Sequence, residues 1–428
     1  MQNLSHLSVL IHEQAKKYGS RPVLTFRSFG SLKWKTVSWN QFSLRVKQVS
    51  NALLNLGIKP QEKIAVFSQN CIQYLYTDFG AYGIRVVSIP FYATSSESQI
   101  QYMINDAEVK YLFVGEQDQY DKAHRIFPLC PSLERIIIFD ESVRVSSHDP
   151  NAIYFEDFLR LGEGLPRQTE VEKRWAEANE DDVCNILYTS GTTGASKGVI
   201  LNYRQYNAAI IANGKCVGVS DKDRAINFLP FTHVFERGWS YLCLSVGAQL
   251  IINTYPKEIQ DSMRETHPTC MSSVPRFWEK VYQAVKAKMD EASGVQRKLF
   301  NHALSVGRRH NIEYLANGKR PPLALALEYK LVNNTVLSIV RKQLGLEHPN
   351  IFPTAGAYVS PEVEQFVHSI GITMIVGYGL TESLATVSCD RPKQKYTIGS
   401  VGRLIDGIEL KIGENDEILL KGPTITPG

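Results

Sequence analysis

Between two apolar runs, Ile186 to Tyr188 and Val199 to Leu201, the chain carries five hydroxyl residues, three glycines and one lysine. They are Thr189, Ser190, Gly191, Thr192, Thr193, Gly194, Ser196, Lys197 and Gly198. Glycines allow positive φ and close approach of a ligand to the backbone. Successive N–H groups can then form a nest for anionic oxygens. The hydroxyls add donors, and Lys197 adds a mobile point charge. This is chemistry for phosphate. It is not a Walker A loop, because Lys197 is followed by Gly198 and the next run reads as a strand rather than a helix. A hydrophilic surface turn needs far fewer such residues.

Three further segments combine reactive and small residues. Ile372 to Val376 reads as a strand, and a glycine turn after it presents Tyr378, Thr381 and Glu382. The carboxyl end of a strand in an α/β sheet is where ligands bind. In Thr354 to Glu362, Ser360 and Pro361 make a helix start, and Ala355, Gly356 and Ala357 permit close approach to a flat ring. Phe228 to Trp239 places His233 and Glu236 among Phe228, Phe231, Phe235 and Trp239. A histidine in such a run is more often structural than catalytic.

The elements that must position these groups alternate in type. Leu7, Leu10, Ile11, Ala15 and Tyr18 fall at helical spacing. Val37 to Asn40 predicts a short strand ending in a helix cap. Phe42, Val46, Val49, Leu53, Leu54 and Leu56 then form a helical stripe closed by Gly57. Ile64 to Phe67, Arg85 to Pro90, Tyr111 to Val114 and Ile136 to Phe139 read as strands, with a helical stretch through Tyr74 and Phe79. Short apolar runs separated by helices predict parallel strands joined by crossovers, hence an α/β fold. The charged stretch before Asp181 reads as a surface connection. After residue 395, β-rich runs punctuated by Gly399, Gly402, Gly407 and Gly413 predict a small antiparallel unit. The expected division is a core over 1–395 and the beginning of a β subdomain over 396–428.

Composition narrows the classes. The 428 residues are 43% hydrophobic and 21% charged, ordinary for a globular chain that buries a sizeable core. A net charge of +4 is too small to imply nucleic acid as a partner. The seven cysteines include no CxxC pair, which predicts buried reduced thiols rather than disulfides or zinc. The N-terminal stretch carries His6, His12, Glu13, Lys16 and Lys17 and lacks the apolar core of a secretory leader. The apolar run around Cys243 to Ile252 is too short to cross a bilayer. A cytoplasmic protein is expected. Lys286 to Gly345, helical in texture, holds six lysines and five arginines against four acids, and suits contact with anionic lipid as well as a solvated face.

Asn185 to Leu201 resembles the phosphate-loop signature of the adenylate-forming, AMP-binding enzymes: acyl- and aryl-CoA synthetases, luciferases and peptide-synthetase adenylation domains. The likeness runs from about Val37 onward. Ser273 to Tyr282 is similar to a stretch of the long-chain fatty acyl-CoA synthetase branch, and Gly399 to Gly402 and Glu417 to Gly422 match the family's β unit. The resemblance implies an N-terminal domain with two mostly parallel sheets in a layered arrangement flanked by helices, plus the start of the antiparallel unit. It implies ATP, Mg²⁺ and CoA, and a fatty acid as the acid activated.

Carried over by position, the phosphate loop is Thr189, Ser190, Gly191, Thr192, Thr193, Gly194 and Lys197. Gly356, Ala357 and Gly379 lie against the nucleotide, Tyr378 stacks on adenine, and Thr381 touches the α-phosphate. Glu382 holds Mg²⁺ with Thr189 nearby. His233 sits by the substrate carboxylate, and Phe235 and Trp239 stand at the acyl tunnel. The sequence departs from the family at Tyr358 and Val359. The family's ribose aspartate, hinge and catalytic lysine have no counterpart in these residues, so the C-terminal lysine-bearing domain is expected to lie beyond them. The alternatives are an aryl-CoA ligase or luciferase-like enzyme, and a non-catalytic nucleotide- or acyl-binding module.

Overall fold

A computed structural model describes residues 6–146, 149–163, 167–189, 196–392 and 394–428. Its largest sheet has seven strands. In spatial order they are Ala152–Tyr154, Arg135–Ile138, Val109–Val114, Lys63–Phe67, Val87–Phe91, Val183–Thr189 and Lys197–Asn202. The first six run parallel, and only Lys197–Asn202 is antiparallel to its neighbour. The central strands are apolar almost throughout because helices cover both faces; Val87–Phe91 is buried along its whole length.

A four-stranded sheet orders Arg224–Asn227, Gln249–Ile252, Pro22–Phe26 and Lys35–Ser38. Another orders Phe352–Thr354, Met374–Tyr378, Ser388–Cys389 and Arg403–Leu404. Isolated parallel bridges, Ala225 to Cys270, Cys270 to Ile351 and Ser273 to Thr354, connect these two into one continuous layer. The result is the parallel-rich, helix-flanked α/β architecture expected. Glu409–Ile412 and Ile418–Lys421 form a separate antiparallel hairpin.

Local chemistry sets several boundaries. The helix Trp39–Asn55 starts two residues before the expected Asn40 cap allows. Ser38 caps it instead, accepting from Gln41 N while the Gln41 side chain returns to Ser38 N. That reciprocal pair is stronger than anything Asn40 could offer, and it lets Trp39 bury completely. The stretch before Asp181 is not only a connection: Gln168–Ala176 is a helix. Its inward face carries Val171 and Arg174, and Arg174 donates to Ile58 O and Ile84 O, each at 3.0 Å. All seven cysteines are buried and free. The longest exposed apolar helix is Leu323–Gln343, not the Cys243–Ile252 region, which divides between a helix end and a strand.

Candidate functional site

Thr189 and Lys197 are register partners where the Val183–Thr189 and Lys197–Asn202 strands separate. The strands therefore deliver the hydroxyl and the ammonium side by side. Ser190, Gly191, Thr192, Thr193 and Gly194 lie outside the described residues. Gly198 is required by packing, since a Cβ there would meet Ile186 Cγ2 at 2.7 Å. Asn185 anchors the strand inside the sheet, donating to Ser88 O at 2.6 Å and accepting from the Tyr82 hydroxyl at 3.0 Å.

An open cleft of about 880 Å³ begins at this point. Thr189, Lys197, His233, Gly356, Thr381 and Glu382 line it, together with Gly198 and Gly379. Residues from four separate segments thus meet across one space. Two expected positions stand apart from it. Ala357 is exposed beside the cleft, and Tyr378 lines an adjoining apolar cavity.

The loop carrying Thr381 and Glu382 is tightly folded. A Cβ at Gly379 would fall 1.5 Å from Ala385 O, so only glycine fits. Leu384 and Ala385 then adopt φ of 48° and 75°, two consecutive side-chain-bearing residues in the left-handed region. Such residues cost about 1–3 kcal/mol each and persist where surrounding structure imposes them. The Ser383 hydroxyl closes the turn on Leu380, accepting from its N–H and donating to its carbonyl at 3.0 and 3.1 Å. Residue 426 adds an outer tie: Thr426 N donates to Glu382 O, and its hydroxyl donates to Ile200 O.

Gly356, with φ of 90°, follows Ala355, whose N–H donates to Ser273 O at 3.2 Å. Trp278 braces the same turn, its indole N–H shared between Ser273 Oγ and Thr354 Oγ1 at 2.8 and 3.2 Å. The Ser273 to Tyr282 segment therefore supports the wall and reaches the cleft through Val274. Ser360 caps the helix Pro361–Ser369 as expected. Tyr358 is 74% exposed, whereas Val359 is buried.

His233 is the N-cap of the helix Val234–Val246, and its Nδ1 accepts from Phe235 N at 3.2 Å. That bond places the ring proton on Nε2. The ring is open to cleft solvent yet closely walled by protein, and this desolvation lowers its pKa and keeps it neutral. Three residues on, Glu236 is fully buried and accepts from Asn227 Nδ2, Leu229 N and Ser272 Oγ at 2.5, 3.1 and 2.7 Å. It organises the Phe228–Phe231 bend rather than the chemistry. Burial pushes its pKa up to about 7 against those three donors.

A carboxyl whose folded pKa is raised binds more protons folded than unfolded, so its contribution is lost as pH rises. The chain is expected to lose stability between about pH 4.5 and about 7 through Glu236. The shift is worth at most about 3 kcal/mol. Thermal unfolding across that range checks this against Glu236→Gln, in which the slope is expected to shrink; an unchanged slope removes Glu236 as its source.

The adjoining apolar pocket is small, about 60 Å³, and is lined by Phe235, Trp239, Ala209, Val217, Ile375 and Tyr378, among others. Phe235, Ala355 and Ala385 line both spaces, so the polar cleft opens into the apolar one. Trp239 is buried, and its indole N–H has no partner among the described residues.

Sequence reasoning missed the group that holds this wall in place. Arg237 and Asp78, each 1% exposed, pair at 2.6 Å. Arg237 also donates to Phe231 O and to the hydroxyls of Tyr74, Tyr82 and Tyr241. Asp78 accepts from Ser88 Oγ at 2.6 Å, and Tyr82 reaches Asn185. The network links the helix Val234–Val246 to the strand that ends at Thr189. Its one sequence signal is an arginine inside an apolar helix, which only a buried partner can satisfy.

Among the described residues no cluster of three or more His, Cys, Asp or Glu could hold a metal unaided. Glu382 and Thr189 on one cleft still suit Mg²⁺, which commonly takes one or two carboxylates and completes its shell with water and substrate phosphate oxygens.

The chain is 26% identical over 433 residues to the long-chain-fatty-acid–CoA ligase ACSBG2 of Xenopus laevis; the alignment covers 98% of this chain and 57% of that protein. It therefore spans little more than half of that relative's length. Its fold is similar to the anthranilate CoA ligase AuaEII in complex with anthranoyl-AMP, with a TM-score of 0.72 at 17% identity over 99% of this chain and 71% of that one. It is also similar to a long-chain-fatty-acid-CoA ligase, FadD1, from Archaeoglobus fulgidus, with a TM-score of 0.68 at 17% identity over 100% of this chain and 76% of that one. The profile of the AMP-binding enzymes matches residues 11–428, and on that match the chain belongs to the AMP-binding enzyme family.

Proposed function

We propose that this chain is the nucleotide- and acyl-binding part of a cytoplasmic fatty acid–CoA ligase acting on long-chain acids. The observation that carries the reading is the junction of the polar cleft with a small apolar pocket at Phe235, Ala355 and Ala385. A carboxylate held at that junction faces the phosphate residues and directs its alkyl chain at the apolar pocket, whose side chains must move apart to admit it. The carboxylate oxygen attacks the α-phosphorus of ATP, the bond to pyrophosphate breaks, and acyl-AMP forms. The thiol sulfur of CoA then attacks the acyl carbon, loses its proton and expels AMP.

The residues present act by position and charge. Lys197 neutralises phosphate oxygens, with Thr189 and Thr381 as hydroxyl donors. Glu382 and Thr189 would hold Mg²⁺, which supplies charge neutralisation of the phosphates. Neutral His233, protonated on Nε2, offers a hydrogen bond toward the carboxylate. No covalent nucleophile is required, which fits seven buried cysteines. The basic stretch 286–345 gives the protein a peripheral contact with the membrane, where such acids reside.

Non-hydrolysable acyl-sulfamoyl-adenosine mimics of acyl-AMP test the reading by calorimetry on the 428-residue chain. Affinity is expected to rise with alkyl length by roughly fourfold per buried methylene. Tighter binding of an aryl mimic would turn the assignment to an aryl-CoA ligase. Affinity independent of the acyl group would leave a nucleotide-binding module. Val217 and Ile375 line both the apolar pocket and a second cleft of about 680 Å³. Val217→Ala with Ile375→Ala is expected to open one into the other and move the preferred alkyl chain to greater length. An unmoved optimum places the chain-length stop elsewhere.

A further inference from the structure

The helix Leu323–Gln343 is continuous over 21 residues, and its most apolar window has a mean hydropathy of 1.2 with only 22% of it buried. Its inward side is fixed to the globule. Leu325, Val332 and Leu337 are buried in the second core cluster. Arg341 is buried and donates to Ile370 O and Asn333 Oδ1 at 2.7 and 2.9 Å. A helix pinned this way lies along the protein rather than crossing a bilayer.

Its outward side is a leucine stripe. Leu323, Leu327 and Leu331 are 77%, 60% and 66% exposed and recur every four residues. They span about 12 Å of one helix face. On the adjoining helix Gly294–Arg308, Val295 and Leu299 are also exposed, at 78% and 53%. Single exposed leucines are ordinary on a soluble surface, but a contiguous group marks an interaction site.

The rim of the stripe is cationic. Lys319 and Arg320 stand exposed just before it, Lys330 beside Leu331, and Lys298 beside Leu299. The carboxylate on this helix, Glu328, is occupied by His302 at 3.3 Å and Arg309 at 3.1 Å. Among the described residues no acid pairs with Lys298, Lys319, Arg320 or Lys330, so their charge stands next to hydrocarbon. A two-fold contact with a second copy would set these cations against one another. Apolar residues flanked by free cations fit an anionic bilayer, whose acyl region takes the leucines while its headgroups take the charge.

We propose that this face is a lipid-docking surface. Leu323, Leu327 and Leu331 enter the acyl region of an anionic bilayer, and Lys319, Arg320 and Lys330 bind headgroup phosphates. The inference rests on the peripheral contact proposed above and names the surface that makes it. Lys319 and Arg320 also line the second cleft, which backs onto Val217 and Ile375. Docking therefore turns that cleft toward the membrane.

Vesicle co-sedimentation of the 428-residue chain tests it, using phosphatidylcholine with and without phosphatidylserine at low and high salt. Binding is expected only with phosphatidylserine and is expected to weaken with salt. Leu323→Ser, Leu327→Ser and Leu331→Ser combined, and separately Lys319→Glu with Arg320→Glu, are expected to weaken it by more than about tenfold. All five positions are exposed, so unfolding temperatures should match the parent. Leu327→Trp is expected to shift its emission to the blue on binding. Failure of the parent to bind anionic vesicles at low salt overturns the contact itself. Binding that survives the leucine substitutions, with no emission shift, leaves the contact standing and overturns this face. A concentration-dependent dimer abolished by the same substitutions, without lipid binding, assigns the face to a second copy instead.

Discussion

Arg237→Ala is expected to lower the stability of the chain by about 3–5 kcal/mol, the cost of leaving one member of a buried ion pair unpartnered. Whole domains are stable by only about 5–15 kcal/mol, so the variant should be partly unfolded near physiological temperature. The substitution strands Asp78 at 1% exposure and leaves the hydroxyls of Tyr74, Tyr82 and Tyr241 without their shared donor. Because Tyr82 reaches Asn185, the damage extends to the strand that ends at Thr189. Replacing both charges with apolar residues, Arg237→Met with Asp78→Leu, is expected to restore much of the loss, since no charge then remains buried. Denaturant unfolding of parent, single and double variants measures this. A loss below about 1 kcal/mol for Arg237→Ala would mean that the pair is an incidental contact.

The second large effect is expected at Gly379. A methyl group there cannot coexist with Ala385 O at 1.5 Å, so the loop from Gly379 to Ala385 must open. Thr381 and Glu382 would then leave the cleft they share with Lys197. Displacing positioning groups by about 1 Å can cost a hundredfold, so nucleotide affinity or adenylation should fall by that order in Gly379→Ala. Gly377 is the control: its added Cβ would lie 3.1 Å from Ser388 O, which a small shift relieves. Titration with ATP and the acyl-adenylate mimics separates the two variants. Equal affinity in Gly379→Ala would show that the loop geometry does not matter to the nucleotide.

What could be read from the chain follows physical range. The strand pair Val183–Thr189 and Lys197–Asn202 was legible because its apolar runs and the polar stretch between them are contiguous. The small-residue turn at Ala355 to Ala357 and the cap at Ser360 were legible for the same reason. The helix Gln168–Ala176 was not, because an inward arginine that satisfies two carbonyls has the same letter as a solvated one. Tyr378 shows a further limit. Its neighbours Gly379, Thr381 and Glu382 reach the cleft, but a side chain on the strand itself is directed by the pleat, and Tyr378 lines the apolar cavity. The Asp78–Arg237 pair was illegible because its partners lie 159 residues apart. The stretch from Lys286 to Gly345 read as basic and helical in texture, but its outward leucines were not legible, because which side faces outward depends on packing with the helix Gly294–Arg308.

The pairing of Pro22–Phe26 with Gln249–Ile252 has a consequence for how the protein is made. Leu24 is in register with Leu250, so an early strand lacks its inner neighbour until more than half the chain exists. At synthesis rates of about 5–20 residues per second, roughly ten to fifty seconds pass between the two. During that interval Lys35–Ser38 is the only strand available to it, and a two-stranded ribbon is marginal alone. Val23 and Leu24, fully buried in the finished molecule, are then open to solvent on a ribosome-bound chain. Nascent chains of this protein should therefore engage chaperones through the Pro22–Ser38 segment until the Gln249–Ile252 strand emerges.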